Sequence, residues 1–172
     1  HFAAALAFAQ RWLAGDGELR KVLEEQVANL GLSQRVRFLG SQPHDQILKF
    51  YTAREVGLVV LPSVDLGNGT HEGIPVSLME AMAHKVPVVS TTTGGIPELL
   101  GDGAGVLVPP QNPQALAEAI RALASSAELR ESLGIRGHAK VLGGFNQVKV
   151  ARELVSAFED ARAQGGLRGK IS

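Results

Sequence analysis

The chain has 172 residues, of which 45% are hydrophobic and 20% are charged, and this is enough apolar material for one compact domain with a substantial core. Lysine plus arginine and aspartate plus glutamate both number 17, so there is no overall charge that would attract nucleic acid or an anionic membrane. The sequence contains no cysteine, which excludes disulfides, thiolate nucleophiles and cysteine-ligated zinc, and favours the cytoplasm as its location.

The opening segment His1–Ala9 is apolar, but it has no starting methionine and no basic stretch before it. It is also far shorter than the ~20 apolar residues that span a bilayer, so neither a signal peptide nor a membrane helix is predicted. We expect it to be the remainder of a helix, and the chain to be part of a longer protein.

Short β-branched segments then alternate with helical segments. In chain order, the predicted strands are Arg11–Gly15, Arg35–Gly40, Val56–Pro62, Val86–Ser90 and Gly105–Val108. The predicted helices are Glu18–Leu30, His44–Arg54, Pro75–His84, Pro97–Leu100 and Gln114–Leu123. This alternation predicts a Rossmann-like α/β fold in three layers, with helices on both faces of a parallel sheet.

The whole chain, residues 1–172, is predicted to be a single domain. Its part from about residue 112 to Ala163 is expected to be helical, and the glycine-rich, basic stretch Gln164–Ser172 to be a flexible tail. The longest irregular segment, Ser63–Ile74, follows the carboxyl end of a predicted buried strand. Doubly wound sheets bind their ligands at that position, so the functional site is predicted there.

Two glutamates, Glu72 and Glu80, flank the predicted start of the third helix at Pro75. A proline suits the first position of a helix because its missing N–H is not needed there. The helix N-terminus offers unpaired amides and the positive end of the peptide dipole, which together can bind a diphosphate without a basic side chain. Carboxylates on either side can accept hydrogen bonds from hydroxyl groups, and this spacing favours a nucleotide-sugar.

The segment Glu72-Gly73-Ile74-Pro75-Val76-Ser77-Leu78-Met79-Glu80 closely resembles the signature of two glutamates separated by seven residues in GT4-family retaining glycosyltransferases. Further blocks resemble that family in the same order: Gly15-Asp16-Gly17, Val36-Arg37-Phe38-Leu39-Gly40, Val60-Leu61-Pro62-Ser63, Val88–Glu98 and Leu107–Pro110. The resemblance extends from about Trp12 to about Ala161. It implies the C-terminal, donor-binding half of a GT-B fold.

The resemblance also implies a role for individual residues. Glu72 would contact the donor hexose near the reacting carbon, and Glu80 would hold the ribose hydroxyls. The backbone amides of Gly73, Ile74 and Val76 would meet the hexose and the diphosphate. The backbone at Gly15 and Gly17 would approach the nucleotide, and Ser41 with Gln42 would lie beside the base.

The implied reaction retains the anomeric configuration and needs neither a cofactor nor a metal. Catalysis would then be mainly electrostatic, since helix amides stabilise charge that grows on the leaving diphosphate. No Asp-x-Asp sequence occurs, and the nearest approach, Asp16-Gly17-Glu18, is predicted to cap a helix instead. The sequence thus predicts no metal site.

Relatives carry an Arg and a Lys that clamp the diphosphate and an acceptor domain with a histidine, and both are expected to lie before His1. We therefore predict that the chain alone binds a nucleotide-sugar weakly and transfers little or nothing. The acceptor, a glycan or a lipid-linked glycan in polysaccharide biosynthesis, would bind the missing N-terminal domain. Membrane contact would be indirect, at the inner face in a full-length protein, and no nucleic acid is expected.

Two alternatives stay open at this stage. One is a non-catalytic nucleotide-sugar-binding module that works with a separate acceptor subunit, and the other is a nucleotide-sugar epimerase of GT-B fold. A dinucleotide site is disfavoured because Arg20 occupies the position of the third glycine in Gly-x-Gly-x-x-Gly. The segment Gly101–Gly105 is predicted to be a turn between a helix and a strand.

Overall fold

The computed structural model describes residues 11–64, 73–145 and 155–156. Its strands are β1 (Arg11–Ala14), β2 (Val36–Gly40), β3 (Val59–Leu61), β4 (Val88–Thr91) and β5 (Val106–Val108). Its helices are α1 (Arg20–Asn29), α2 (His44–Thr52), α3 (Val76–Ala83), α4 (Ile96–Leu100), α5 (Pro113–Ser125) and α6 (Ala127–Gly144). Each strand is followed by a helix, so the predicted alternation is confirmed.

The strands pair in parallel, as predicted, but within the described residues they form two separate sets. The first set is β1–β2, in which Leu13 lies opposite Phe38. The second is β3–β4–β5, in which Ser90 lies between Leu61 and Leu107. The sequence pattern gave no indication of this division, because it identifies strands and not their neighbours.

Helix α2 connects the two sets. The ring of Phe50 on α2 lies 4.9 Å from the ring of Trp12 on β1, measured between centroids. Tyr51, the next residue, is buried in the cluster that includes Leu78 of α3 and Val88 of β4. One helix therefore packs against both sets of strands.

The central strand β4 separates two apolar clusters. Val88 and Val89 are both fully buried, and because side chains alternate along a strand they lie on opposite faces. The Val88 face packs against α3 and α4 through residues that include Leu78, Met82, Ile96 and Leu100. The Val89 face packs against α5 and α6 through Leu116, Ile120, Leu123 and Leu133. Helices thus cover both faces, which confirms the predicted three-layer α/β fold.

Several boundaries differ from the prediction for local reasons. Strand β4 begins at Val88 and not at Val86 because Pro87 has no N–H to donate, although its carbonyl accepts a 3.0 Å bond from the Val59 amide. Helix α1 begins at Arg20, so the predicted cap by Asp16 is wrong. The Asp16 carboxylate instead accepts a hydrogen bond from the Gly17 amide and pairs with Arg20 at 3.4 Å.

Helix α3 is fixed in place by burial and by α6. Leu78, Ala81 and Met82 have no exposed surface, and burying a residue of leucine size contributes about 1.5–3 kcal/mol. At its carboxyl end, the carbonyl of Ala83 accepts a 2.8 Å hydrogen bond from Nδ1 of His138 on α6. These contacts fix α3 against the sheet and α6, and so they also fix the position of its amino-terminal end.

Candidate functional site

The carboxyl ends of β1 and β2 meet at the edge where a ligand was predicted. The amide of Gly15 donates a 2.8 Å hydrogen bond to the carbonyl of Gly40, which joins the loops that follow the two strands. Both glycines adopt a positive φ, 128° at Gly15 and 67° at Gly40, which other residues rarely tolerate. A Cβ at Gly15 would meet no atom within 4 Å, whereas one at Gly40 would lie 3.2 Å from the Arg20 guanidinium, so the backbone at Gly15 is the more open of the two where a nucleotide was predicted to approach.

The predicted neighbours of the base lie in the loop between β2 and α2. The side-chain amide of Gln42 donates a 2.6 Å hydrogen bond to the carbonyl of Leu39, so this side chain is held against the end of β2. Ser41 is exposed on the same loop. Gly17, in the loop after β1, is exposed as well.

Helix α3 begins one residue later than predicted. Pro75 is its N-cap and not its first helical residue, because a ψ of 121° is extended and not helical. The carbonyl of Pro75 accepts hydrogen bonds from the amides of Leu78 and Met79, at 3.2 and 3.3 Å. Val76 thus occupies the first helical position with 61% of its surface exposed, at the end of the helix where the dipole is positive.

The Gly73–Ile74 backbone packs tightly against Gly95, a contact that the sequence did not reveal. A Cβ atom placed on Gly95 would lie 2.8 Å from Cγ1 of Ile74, and 3.3 Å from both the carbonyl carbon of Gly73 and the amide nitrogen of Ile74. Carbon atoms in good contact are about 3.5–4.0 Å apart, so only glycine fits without displacing these atoms. Glycine at position 95 therefore leaves room for the Gly73–Ile74 backbone, whose amides were predicted to bind the donor.

The carboxylate of Glu80 is hydrogen-bonded to a residue of another element. Its Oε1 atom lies 2.7 Å from Nε2 of His44, at the start of α2, and its side chain is 25% exposed. Tyr51 of α2 lies near enough that burial first, and then the negative charge of Glu80, raise the pKa of its hydroxyl. The structure thus brings Glu80 next to the loop that contains Ser41 and Gln42.

Two buried hydroxyl groups fix the start of the predicted functional loop. Oγ of Ser90 donates to the carbonyl of Leu61 at 2.5 Å, and Oγ1 of Thr91 donates to the carbonyl of Ser63 at 2.6 Å. Both residues are buried, so each bond satisfies a polar group that would otherwise be costly to bury. The chain therefore leaves β3 in a defined direction.

Glu72, the residue predicted to contact the hexose, lies outside the described residues, and its role stays a prediction.

Neither a cluster of three or more metal-ligating side chains nor a helix long and apolar enough to cross a membrane occurs within residues 11–64, 73–145 and 155–156.

The sequence also matches a known family. Residues 9–140 fit the family described as glycosyl transferases group 1. The chain belongs to this family. The resemblance to glycosyltransferases stated from the motifs is thereby confirmed, and the α/β fold is that of the GT-B members.

This glycosyl transferase chain is similar to several biosynthetic enzymes. The amylovoran biosynthesis glycosyltransferase AmsK of Erwinia amylovora is 35% identical over 148 residues, which are 86% of this chain and 36% of that protein. The lipopolysaccharide core biosynthesis glycosyltransferase LpsE of Rhizobium meliloti is 34% identical over 137 residues, which are 79% of this chain and 37% of that protein.

Among solved structures, Anabaena HepE in complex with UDP and glucose has 26% sequence identity to this glycosyl transferase chain and a TM-score of 0.75. The match covers 92% of this chain and 44% of HepE. The chain therefore spans less than half the length of each of these three proteins.

Proposed function

We propose that this chain is the C-terminal, donor-binding domain of a retaining glycosyltransferase of the GT4 type. The intact protein transfers a hexose from a nucleotide-diphospho-sugar to a glycan or lipid-linked acceptor in polysaccharide biosynthesis. Membership of the glycosyl transferases group 1 supports the activity, and the names of AmsK (amylovoran biosynthesis) and LpsE (lipopolysaccharide core biosynthesis) support a role in polysaccharide biosynthesis. The UDP and glucose bound by HepE support the type of donor.

One observation carries the proposal, namely the contact between Glu80 and His44. It joins α3 to the start of α2, directly after the loop that contains Ser41 and Gln42. A nucleotide-sugar has a matching order of groups, with the base at one end, then the ribose, then the diphosphate and the hexose. Glu80 sits between the loop assigned to the base and the helix start assigned to the phosphates.

The roles of the residues follow this order. Ser41 and Gln42 flank the base, the backbone at Gly15 and Gly17 approaches the nucleotide, and Glu80 accepts hydrogen bonds from the ribose hydroxyls. The donor amides at the diphosphate and the hexose are those of Gly73, Ile74 and Val76, and Glu72 accepts from the hexose. An ionised carboxylate is an acceptor only, so both glutamates suit neutral hydroxyls and not phosphate.

The chemistry we propose is electrostatic. As the bond to the anomeric carbon breaks, negative charge grows on the diphosphate, and the amides at the start of α3 would stabilise this charge. A preorganised donor of this kind contributes about 10²–10³ in rate. We propose that no metal ion takes part, and donor binding should therefore be the same with and without EDTA.

Transfer itself is proposed for a protein as long as AmsK or LpsE, because this chain spans only 36% and 37% of their lengths. We expect the 172-residue chain to bind the donor and to turn it over little or not at all. A hexose-transfer assay with the purified chain tests this, and rapid transfer would contradict it. Interconversion of the donor sugar in the same assay would favour the epimerase alternative.

Calorimetric titration with UDP-glucose, GDP-mannose and ADP-glucose tests the donor site. At least one of them should bind, and Glu80→Ala should weaken it about tenfold to a hundredfold, as expected for losing hydrogen bonds to a charged group. The matched control is Glu118→Ala, which removes an exposed carboxylate from α5. Absence of binding to all three donors, or an equal loss in both variants, would overturn the proposal.

A further inference from the structure

His44 has no assigned role so far, yet its ring makes a long-range contact. The residue follows Ser41, Gln42 and Pro43 directly, and Pro43 is the extended N-cap of α2, with φ −59° and ψ 145°. From this position the ring reaches α3, where Nε2 lies 2.7 Å from Oε1 of Glu80, 36 residues further along the chain. The contact is therefore between two different elements and not between neighbours in sequence.

The chemistry of the two groups fixes the direction of this hydrogen bond. An ionised carboxylate can only accept, so Nε2 of His44 must carry the proton and donate it. The bond consequently forms whether the imidazole ring is neutral or charged. A carboxylate offers about four lone-pair sites on its two oxygens, so one bond from His44 leaves acceptors for the two hydroxyls of a ribose.

The backbone of Glu80 is held by a hydrogen bond as well. Its backbone carbonyl accepts a 2.8 Å hydrogen bond from Nδ1 of His84, whose ring lies against that of Tyr51 with centroids 5.6 Å apart and the ring planes tilted by 41°. Tyr51 belongs to α2, as His44 does, and is buried. The main chain and the side chain of Glu80 are thus both fixed by contacts that involve α2.

We infer that His44 is a positioning residue for the donor, which holds the carboxylate of Glu80 in the orientation that binds the ribose diol. The inference rests on the proposed function of Glu80 and adds a residue to that site. His44 acts through Glu80 and does not itself touch the donor. Its side chain is 66% exposed, so its effect is on orientation and not on the stability of the fold.

The test is calorimetric titration with UDP, GDP and ADP, continued with whichever binds best and with its 2′-deoxy counterpart. His44→Ala should weaken binding of the ribonucleotide about threefold to tenfold, because the released Glu80 side chain must then be ordered when the nucleotide binds. His44→Gln, which can still donate to the carboxylate, should recover part of the loss. The 2′-deoxy nucleotide, which lacks one of the two hydroxyls, should show a smaller loss.

A double-mutant cycle separates this inference from the proposed function. In the Glu80→Ala background, His44→Ala should have no further effect on nucleotide binding. His44→Ala alone should melt within roughly 4 °C of wild type, as expected for loss of an exposed pair. If no nucleotide binds, or if Glu80→Ala binds as the wild type does, the proposed function fails.

If Glu80→Ala weakens binding but His44→Ala does not, only the positioning role fails. It also fails if His44→Ala binds more tightly, since the bond would then compete with the ribose. An equal loss with and without Glu80 would mean that His44 touches the donor directly, and it too would overturn the positioning role.

Discussion

Gly95→Ala is expected to disturb the donor site through one contact that can be followed from the structure. The backbone at Gly95 has φ −82° and ψ 2°, which alanine adopts without strain, so the effect arises from the added methyl group. That group would lie 2.8 Å from Cγ1 of Ile74 and 3.3 Å from the amide nitrogen of the same residue. To restore contacts of about 3.5–4.0 Å, the Ile74 side chain must move by nearly 1 Å and its backbone by a few tenths of an ångström.

Both stability and donor affinity should fall. Overpacking costs about 1–3 kcal/mol, and the lower entropy of the unfolded alanine chain offsets about 0.4–1 kcal/mol of this. A net loss of about 1–2 kcal/mol corresponds to a fall in Tm of roughly 2–8 °C for a domain of this size. Full loss of one amide bond to a phosphate costs about 1.5–3 kcal/mol, so a partial displacement should weaken donor binding about threefold to tenfold.

Gly57→Ala is the matched control. No atom lies within 4 Å of a Cβ at Gly57, and its φ is not positive, so the variant should be as stable as the wild type or slightly more stable. Differential scanning fluorimetry and calorimetric titration of both variants supply the comparison. Donor affinity in Gly95→Ala equal to that of wild type would show that the Gly73–Ile74 amides do not contribute to binding.

The fold could be predicted from the sequence because short apolar strand segments alternate regularly with helical segments along the chain. Apolar runs such as Val56–Leu61 show no polar alternation, which is typical of parallel strands covered on both sides, and all of the strands predicted in the described part of the chain are present. Boundaries were less accurate where a single residue decides them. Strand β4 begins only after Pro87, because proline has no N–H to donate to the neighbouring strand. Pro75 is the N-cap of α3 and not its first helical residue.

The candidate site was predicted by resemblance to a family, and the structure added the contacts between its parts. Gly73 and Gly95 are separated by a helix and a strand, so nothing in the local pattern indicates that a side chain at position 95 would meet the Gly73–Ile74 backbone. The sequence could have indicated that His44 lies near the site. The loops that follow neighbouring parallel strands meet at one edge of the sheet, and His44 comes directly after one of these loops. Its partner could not be identified, since the side-chain contact depends on how α2 packs against α3.

Two further variants test the packing of α6, which contacts the carboxyl end of α3, the end opposite to the proposed donor site. A Cβ on Gly134 would overlap the backbone carbonyl of Lys85, so Gly134→Ala should lower the free energy of unfolding by about 1–3 kcal/mol in urea titration, despite a gain of about 1 kcal/mol in helix propensity. The matched change Gly143→Ala in the same helix meets nothing within 4 Å and should not destabilise, and a similar loss in both would contradict the packing argument. The second variant concerns the 2.9 Å ion pair between Lys140 of α6 and Asp102. The hydrogen bond and then the charge of Lys140 lower the pKa of Asp102, so its stabilising effect is present above the unfolded pKa of about 3.9 and is lost as the pH falls through the lower, folded value. Asn tolerates the positive φ of 58° at this position, so Asp102→Asn removes the charge without backbone strain. Its Tm should lie slightly below that of wild type at pH 7, and the difference should shrink as the pH falls below the unfolded pKa towards the lower, folded pKa, where the wild-type side chain becomes protonated and neutral. A difference in Tm that stays constant from pH 7 to pH 3 would mean that the ion pair with Lys140 does not hold α6 against the turn before β5.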